Sequence, residues 1–199
     1  MKKDKKNIGV ITFYKTANFG ANLQAISTYK YLEQNGFNVI FVNYMSDDTR
    51  TRYEQLKDSI EWKGHIATVN SVIKNQTEWC RDAGQILKVI GKYKIDAIII
   101  GSDALLQHHT LISRLRKGKR KPLYVVPVGK DRLFPNLFWG CGFSDKLPVG
   151  LLSVSSQNSS YQTFSLLLKC RMKKALGRLK YISVRDTWTL KMVKSISPN

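Results

Sequence analysis

The chain has 199 residues, 43% of them hydrophobic and 24% charged, a length and composition typical of one globular domain. Its 33 Lys and Arg residues against 14 Asp and Glu give a formal net charge of +19, which attracts nucleic acid, anionic lipid headgroups and phosphorylated substrates alike. Cys80, Cys141 and Cys170 stand far apart, so neither a disulfide framework nor a zinc site is indicated and we expect reduced thiols.

The amino terminus is basic and then apolar, as in a signal peptide, but the apolar part, residues 8–13, is too short and lacks a small-residue cleavage site. No uninterrupted apolar run elsewhere approaches the roughly 20 residues that cross a bilayer. We therefore expect a cytoplasmic protein, whose positive charge favours peripheral contact with the inner, anionic face of the membrane.

The first predicted unit is a strand, a helix and a second strand. Residues 8–13 are typical of a buried strand, residues 21–35 have helical spacing, and Gly36 is typical of a helix end. Residues 38–44, rich in β-branched and aromatic side chains, predict the second strand. Such a βαβ unit implies a parallel sheet.

The rest of the chain continues this alternation. Residues 45–94 contain helical patterns without a clear strand, and the apolar run 97–100 predicts a strand covered on both faces. Pro and Gly make the segments 122–128 and 135–143 either edge strands or loops. The last predicted elements are a strand from Val149, a helix over 165–179, a short strand over 180–186 and a helix from Thr187.

Together these elements predict an α/β, Rossmann-like fold, an open and mostly parallel sheet with helices on both faces. Ligands of such sheets bind beyond the carboxyl ends of the strands. Polar segments follow four of the predicted strands, and we expect them to line one cleft: residues 15–22, 101–103, 155–160 and 184–186.

The first polar segment contains Asn18 and Gly20. Asn18 can cap the helix by accepting a bond from a backbone N–H, and Gly20 tolerates conformations closed to other residues. Alternatively, the free N–H groups at the helix start bind a phosphate, a carboxylate or a sugar hydroxyl. No dinucleotide-binding or P-loop motif is present, and the pattern alone favours capping.

In the second segment, Gly101, Ser102 and Asp103 present a carboxylate directly after a buried strand. Asp103 either orients and deprotonates a sugar hydroxyl or caps the next helix. His108 and His109 follow without a carboxylate at ligand spacing, so they do not indicate a metal, and we take them as surface or gap-filling residues.

The remaining candidate binding residues are positively charged. Arg185 either grips a phosphate or carboxylate through two parallel bonds or forms an ion pair with Asp186 or the following helix. The basic segments 114–121 and 169–180 are either a solvated loop and a solvated helix face or binding sites for a polyanion.

Residues 8–44, 95–107, 152–160 and 181–189, in this order, resemble the successive motifs of the polysaccharide pyruvyl transferase family, and the resemblance runs from Ile8 to about Val193. It implies transfer of the enolpyruvyl unit of phosphoenolpyruvate to a sugar of a cell-surface glycan, which leaves a pyruvate ketal and releases phosphate. The implied fold is one half of a two-domain, GT-B-like glycosyltransferase architecture.

The resemblance also implies roles for individual residues. Asp103 and Arg185 are the expected catalytic residues, because Asp103 corresponds to the group that orients the acceptor hydroxyl and Arg185 to an arginine that reaches the donor's phosphate or carboxylate. Neither a metal nor a cofactor is expected. The expected substrate-binding residues are Asn18, Phe19, Gly20, Gln24, Gly101 and Ser102.

A second Rossmann-like half, with basic and histidine groups that hold phosphoenolpyruvate, is also implied by the resemblance. Residues 1–199 match a single N-terminal domain, so the expected partners are a separate C-terminal half or a second copy of the chain, besides the phosphoenolpyruvate donor and a sugar or lipid-linked glycan acceptor. After the second motif the chain has "ALLQHH" where family members often have an aromatic residue, a difference at the acceptor pocket.

Two other functions stay open at this stage. The same architecture would serve a glycosyltransferase that uses a nucleotide sugar. The basic segments would also suit a non-catalytic module that binds acidic glycan or nucleic acid. Nucleic acid is the less favoured ligand, because the chain has no recognised nucleic-acid-binding motif and no aromatic residues interleaved with the basic clusters.

Overall fold

The structure, a computed structural model, describes residues 5–118 and 122–198. Its centre is a five-stranded parallel sheet in the order β2-β1-β3-β6-β7. A separate two-stranded antiparallel hairpin pairs β4 with β5. The strands are β1 (Asn7–Ile11), β2 (Asn38–Phe41), β3 (Ala97–Gly101), β4 (Leu115–Arg116), β5 (Tyr124–Val125), β6 (Val149–Val154) and β7 (Tyr181–Val184).

Helices connect consecutive strands of the sheet, which confirms the predicted α/β, Rossmann-like class. Three of them lie between β2 and β3, where the sequence predicted a helical excursion. None of the described helices is long and apolar enough to cross a membrane. The helices are α1 (Phe19–Gln34), α2 (Asp47–Glu54), α3 (Ile60–Val72), α4 (Ala83–Lys92), α5 (Leu111–Arg114), α6 (Leu166–Leu176) and α7 (Thr187–Ile196).

Both faces of the sheet are covered, each by its own hydrophobic cluster. Successive strand residues point to opposite faces, so Val10 packs with residues of α1 and α3, whereas Ile11 packs in the cluster that contains residues of α4, α6 and α7. In β3, Ile98 and Ile100 belong to the second cluster and Ile99 packs against the first. This double burial explains why β3 is an unbroken apolar run.

Two apolar segments differ from their prediction. The segment 135–143 is a buried loop with a short 3₁₀ turn, Leu137–Trp139, and the edge-strand reading is wrong. Phe138, Trp139 and Phe143 are fully buried, and Gly140 turns the chain with a φ of 70°. In the other segment, 122–128, the structure forms only the short β5 and leaves most of the residues exposed.

The strand order creates a crevice between β1 and β3. After β1 the chain moves sideways to β2, and after β3 it moves to the other side, towards β6. The loops that follow β1 and β3 therefore diverge, and such a switch point is the usual ligand site of an open α/β sheet. The loops in question carry Asn18 and Asp103.

Candidate functional site

The loop after β1 is fixed to helix α1 by a buried asparagine that the sequence did not single out. Asn22 donates through Nδ2 to the Thr16 carbonyl at 2.7 Å and accepts from the Thr16 N–H at 3.2 Å. Asn18 accepts from the Ala21 N–H at 3.3 Å, so its predicted capping role is confirmed. The loop and the helix start therefore form one rigid unit.

Gln24 on α1 connects two other predicted site residues. With its oxygen towards the guanidinium, the Gln24 amide accepts from Arg185 Nη1 at 2.9 Å and donates to the Ser102 carbonyl at 2.8 Å. The reverse orientation would oppose oxygen to oxygen and nitrogen to nitrogen, so the hydrogen-bond network fixes the amide. Helix α1 and the ends of β3 and β7 thus meet at one side chain.

Asp103 lies at the end of β3 in the crevice. Its Oδ1 accepts from the Ala104 N–H at 2.6 Å. Burial raises the pKa of the Asp103 carboxyl, while this N–H and the charge of Arg185 partly oppose the rise. The alternative that Asp103 caps the next helix is wrong, because α5 begins only at Leu111.

The turn that precedes Asp103 requires a glycine. Gly101 has a φ of +135°, a conformation that side-chain-bearing residues rarely adopt. A Cβ at this position would also overlap the Leu152 carbonyl of β6. The missing side chain lets the chain leave β3 against the neighbouring strand, and this places Ser102 and Asp103 at the sheet edge.

A cavity of about 180 Å³ opens at this crevice. Asn18 and Asp103 line it together, as expected of loops that flank a switch point. Other side chains that the sequence did not indicate also line it, among them Arg52 and Tyr53 of α2, Asp131 and Arg132. The cavity therefore combines the Asp103 carboxyl group, whose pKa is raised, with a second carboxylate and two arginines.

A buried carboxylate holds the part of the cavity that bears Arg52 and Arg132 against the sheet. Asp131 is only 4% exposed and accepts bonds from Tyr44 Oη and Ser46 Oγ, both at 2.5 Å, and from Thr49 Oγ1 at 3.0 Å. Burial and the neighbouring carboxylate raise the pKa of Tyr44, which stays a hydrogen-bond donor. These bonds join the end of β2 and the start of α2 to the segment around Arg132.

Arg185 follows β7 and is exposed. The expected alternative of an ion pair with Asp186 is wrong, because Asp186 caps α7 by accepting from the Thr189 N–H at 2.7 Å. Within residues 5–118 and 122–198, no carboxylate oxygen lies within 4.0 Å of the Arg185 guanidinium. Its bond to neutral Gln24 orients the guanidinium without neutralising it.

The remaining predicted substrate-binding residues, Phe19 and Gly20, are not among the residues that line the cavity. Gly20 is exposed in the first turn of α1, next to the capping oxygen of Asn18. Phe19 is 62% exposed and turns towards α3, with its ring centroid 6.2 Å from that of His65. The structure therefore brings Asn18 and Asp103 together, and Gln24 with Ser102 and Arg185, while Phe19 faces away.

The turn after β6 supports the Asp103 loop. Ser155 donates its N–H to the Asp103 carbonyl at 2.9 Å, and the Ser156 N–H bonds to Thr189 Oγ1 at 2.7 Å. Gln157, also in this turn, lines the cavity. The third predicted polar segment therefore contributes mainly support, and one side chain, to the site.

The two predicted basic segments lie on different structural elements. In 169–180, every lysine and arginine is exposed or half-buried on or just after α6, an arrangement that both a solvated helix face and a polyanion-binding surface would have. The segment 114–121 forms part of the β4–β5 hairpin, and its residues 119–121 lie outside the described residues.

His108 is the gap-filling residue that the sequence allowed, not a surface residue. It is 8% exposed, and its Nδ1 accepts from the Phe134 N–H at 2.8 Å. Burial, with the nearby charges of His109 and Arg114, lowers the pKa of His108 from 6.5 to about 4. The ring is neutral at physiological pH and holds the loop around Phe134 in place.

This environment predicts a loss of stability in mild acid. Because the unfolded chain binds a proton at this ring near pH 6.5 and the folded protein only near pH 4, stability falls as the pH drops through that interval. Between pH 7 and pH 5 we expect the free energy of unfolding to fall by about 2 kcal/mol from this residue. Urea denaturation at both pH values measures it.

His108→Gln, which keeps an acceptor, should lose this pH-dependent part, while His65→Gln on α3 should keep the wild-type difference. An equal pH dependence in wild type and His108→Gln would contradict the prediction.

Comparison with known proteins assigns the chain to a family. Searches among curated proteins and among solved structures find no match. A family model described as polysaccharide pyruvyl transferase matches residues 18–197. The matched range begins at the capping residue Asn18 and contains Gln24, Asp103 and Arg185, so it includes the whole hydrogen-bonded centre at the sheet edge. As this range is nearly the whole chain, the resemblance of the four motifs is confirmed, and the chain belongs to the polysaccharide pyruvyl transferase family.

Proposed function

We propose that this protein takes part in the transfer of a pyruvyl group from phosphoenolpyruvate to a sugar of a cell-surface glycan. The observation that carries the proposal is the Gln24 bridge, which in a member of this family holds Arg185 beside the loop that bears Asp103. A fixed guanidinium and a fixed carboxylate are the two groups needed to pair an anionic donor with a hydroxyl acceptor.

Asp103 is the proposed acceptor base. Its Oδ1 is bound by the Ala104 N–H, and the carboxyl group lines the cavity, where it can accept from a sugar hydroxyl. Its raised pKa brings its proton affinity closer to neutrality, which improves a general base.

Arg185 is the proposed donor-binding group. Phosphoenolpyruvate carries a phosphate and a carboxylate, and a guanidinium binds either through two parallel bonds. Gln24 occupies one of its nitrogens, Nη1, and orients the plane. Arg52 and Arg132, which line the cavity, add to the positive potential that draws such an anion to the site.

The chemistry balances with two sugar hydroxyls. One hydroxyl oxygen bonds to C2 of phosphoenolpyruvate while C3 gains a proton and becomes a methyl group. The second oxygen then bonds to C2 as the C2–O bond to phosphate breaks. The two hydroxyl protons are thus accounted for by the methyl group and the released phosphate, and Asp103 relays the first.

We also propose that a facing surface completes the donor site, supplied by a C-terminal half or by another copy of the chain. Arg185 is exposed, and the cavity of about 180 Å³ is below the roughly 300 Å³ at the lower end of small-molecule sites. Enclosure matters because electrostatic stabilisation is stronger where water is excluded.

Phosphate release tests the proposal. The purified chain is incubated with phosphoenolpyruvate and a panel of β-galactosides and other glycan acceptors, alone and with a separately produced C-terminal half, and the ketal is identified by mass spectrometry. We expect release that depends on an acceptor. No acceptor-dependent release in any combination would overturn the proposal, and binding of a nucleoside diphosphate sugar in place of phosphoenolpyruvate would favour a glycosyltransferase.

A lipid-linked acceptor lies at a membrane surface. We propose that the β4–β5 hairpin contacts this surface. Arg116 and Lys117 are exposed on the hairpin, as anionic headgroups require. Large apolar side chains beside them are also exposed: Leu111, Ile112, Leu123, Tyr124 and Val125.

Co-sedimentation with phosphatidylglycerol vesicles checks this contact. Ile112→Ser with Leu123→Ser should weaken binding severalfold, because each exchange removes apolar surface from the interface. Binding that is unchanged by the double exchange, or equal on phosphatidylcholine, would contradict it.

A further inference from the structure

A second concave surface lies beside the cavity, between helices α2 and α3. Its volume is about 360 Å³, and we name it the aromatic groove after the three rings that line it, Tyr53, Trp62 and Trp79. Hydrogen-bonding side chains also line the groove: Lys15, Asn43, Arg50, Glu54 and Lys57.

The rings of the aromatic groove are held in place by the protein. The centroids of Tyr53 and Trp62 are 5.1 Å apart, with the rings inclined at 40°. Trp79 donates its indole N–H to the Met45 carbonyl at 3.0 Å, and the Arg50 guanidinium lies over its ring at 4.0 Å. All three rings are half-buried, so part of each remains open to a ligand.

The groove adjoins the candidate site. Tyr53 lines both the cavity that contains Asp103 and the aromatic groove. Lys15, at the other side of the groove, belongs to the loop that carries Asn18. A chain of linked sugars with one unit at Asp103 can therefore continue past Tyr53 into the groove.

We propose that the aromatic groove binds a pyranose ring of the acceptor glycan, next to the unit that receives the pyruvyl group. A pyranose ring has apolar faces that pack on aromatic side chains and hydroxyls around its edge that pair with amide, carboxylate and ammonium groups. The groove offers both, with Trp62 as the aromatic contact and Asn43 and Glu54 among the polar ones. This inference rests on the proposed function for the identity of the ligand as a glycan.

The test compares long and short acceptors by tryptophan fluorescence, without donor. The probes are tetrasaccharides ending in β-galactose, glucose or mannose, each against the methyl glycoside of its terminal sugar. We expect the protein to bind at least one tetrasaccharide about tenfold more tightly than its methyl glycoside. Trp62→Ala should abolish this preference and leave the affinity for the methyl glycoside unchanged.

Two variants control the measurement. Trp62→Phe keeps an aromatic face and should retain most of the preference, so a fold defect in Trp62→Ala would not be mistaken for a lost contact. Tyr31→Ala removes another exposed aromatic, 64% exposed near the carboxyl end of α1, and should bind like the wild type. A preference that survives Trp62→Ala, a protein that binds none of the tetrasaccharides, or quenching by uridine diphosphate that the tetrasaccharides do not displace would overturn the inference.

The outcomes separate this inference from the proposed function. If Trp62→Ala removes the preference but no acceptor-dependent phosphate release occurs, the groove binds glycan and the transfer reaction is wrong. If transfer occurs equally on long and short acceptors in wild type and Trp62→Ala, the reaction stands and the groove is not part of it.

Discussion

Asp103→Asn is expected to reduce the rate of pyruvyl transfer about 100- to 10,000-fold, the usual contribution of a positioned general base. Asparagine keeps an oxygen for the Ala104 N–H and so preserves the loop, but it cannot take the proton of an acceptor hydroxyl. Initial rates with saturating donor and acceptor measure the loss.

The same exchange should not destabilise the fold, which separates a chemical from a structural effect. Burial raises the pKa of Asp103, so the folded protein holds this proton to a higher pH than the unfolded chain does, and stability falls as the pH rises through that interval. At pH 7 we therefore expect Asp103→Asn to unfold at an equal or higher temperature than the wild type. Any gain in stability of Asp103→Asn over the wild type should vanish in strong acid, where residue 103 is uncharged in both proteins.

Asp96→Asn is the matched control, because Asp96 precedes the same strand at its amino end, away from the site, and accepts from the Asn7 N–H. It should leave transfer unchanged. A rate for Asp103→Asn within threefold of wild type, or a large fall in its melting temperature, would contradict the assigned role.

Arg185→Lys is expected to lower kcat/KM for phosphoenolpyruvate about 100-fold, although the charge is kept. Lysine is a point charge that cannot make two parallel bonds, and hydrogen bonds to charged groups contribute about 1.5–3 kcal/mol. Gln24→Ala should raise KM about tenfold with a smaller effect on kcat, since it frees the guanidinium without removing it. Steady-state kinetics with varied phosphoenolpyruvate measures both.

The double variant, Gln24→Ala with Arg185→Lys, tests whether the two residues act together. In the proposed function Gln24 acts on the donor through Arg185, so the double variant should be little worse than Arg185→Lys alone. Arg178→Lys, in the turn before the same strand, is the control and should behave as wild type. Fully additive losses would mean that Gln24 and Arg185 act independently.

The sequence predicts those parts of the site that are determined by residues close together in the chain. The apolar run of β1, the cap at Asn18 and the helix that follows are read from neighbouring residues, and the rule that strands end at one edge then gathers Asp103 and Arg185. Strand ends are less well predicted, since β1 and β2 stop at Ile11 and Phe41, before the polar residues that begin the loops.

The missed parts depend on contacts between residues far apart in the sequence. Arg52 and Tyr53 lie on a helix without buried residues, so no periodicity marks a face that points to the site. The helix is held by bonds from Ser46 and Thr49 to Asp131, which is more than 80 residues from either, and a hydroxyl cluster of this kind leaves no local pattern. Likewise Phe138 and Trp139 look like an edge strand until their burial is known.

Helix α1 contacts both the loop proposed to bind the acceptor and the arginine proposed to bind the donor. Its first turns hold the Thr16 loop through Asn22, and two residues later Gln24 grips Ser102 and Arg185. A shift of this helix would therefore move the Thr16 loop and also disturb the bond that orients Arg185. If binding of one substrate displaces α1, the affinity for the other changes as well, and this coupling is the same in both directions.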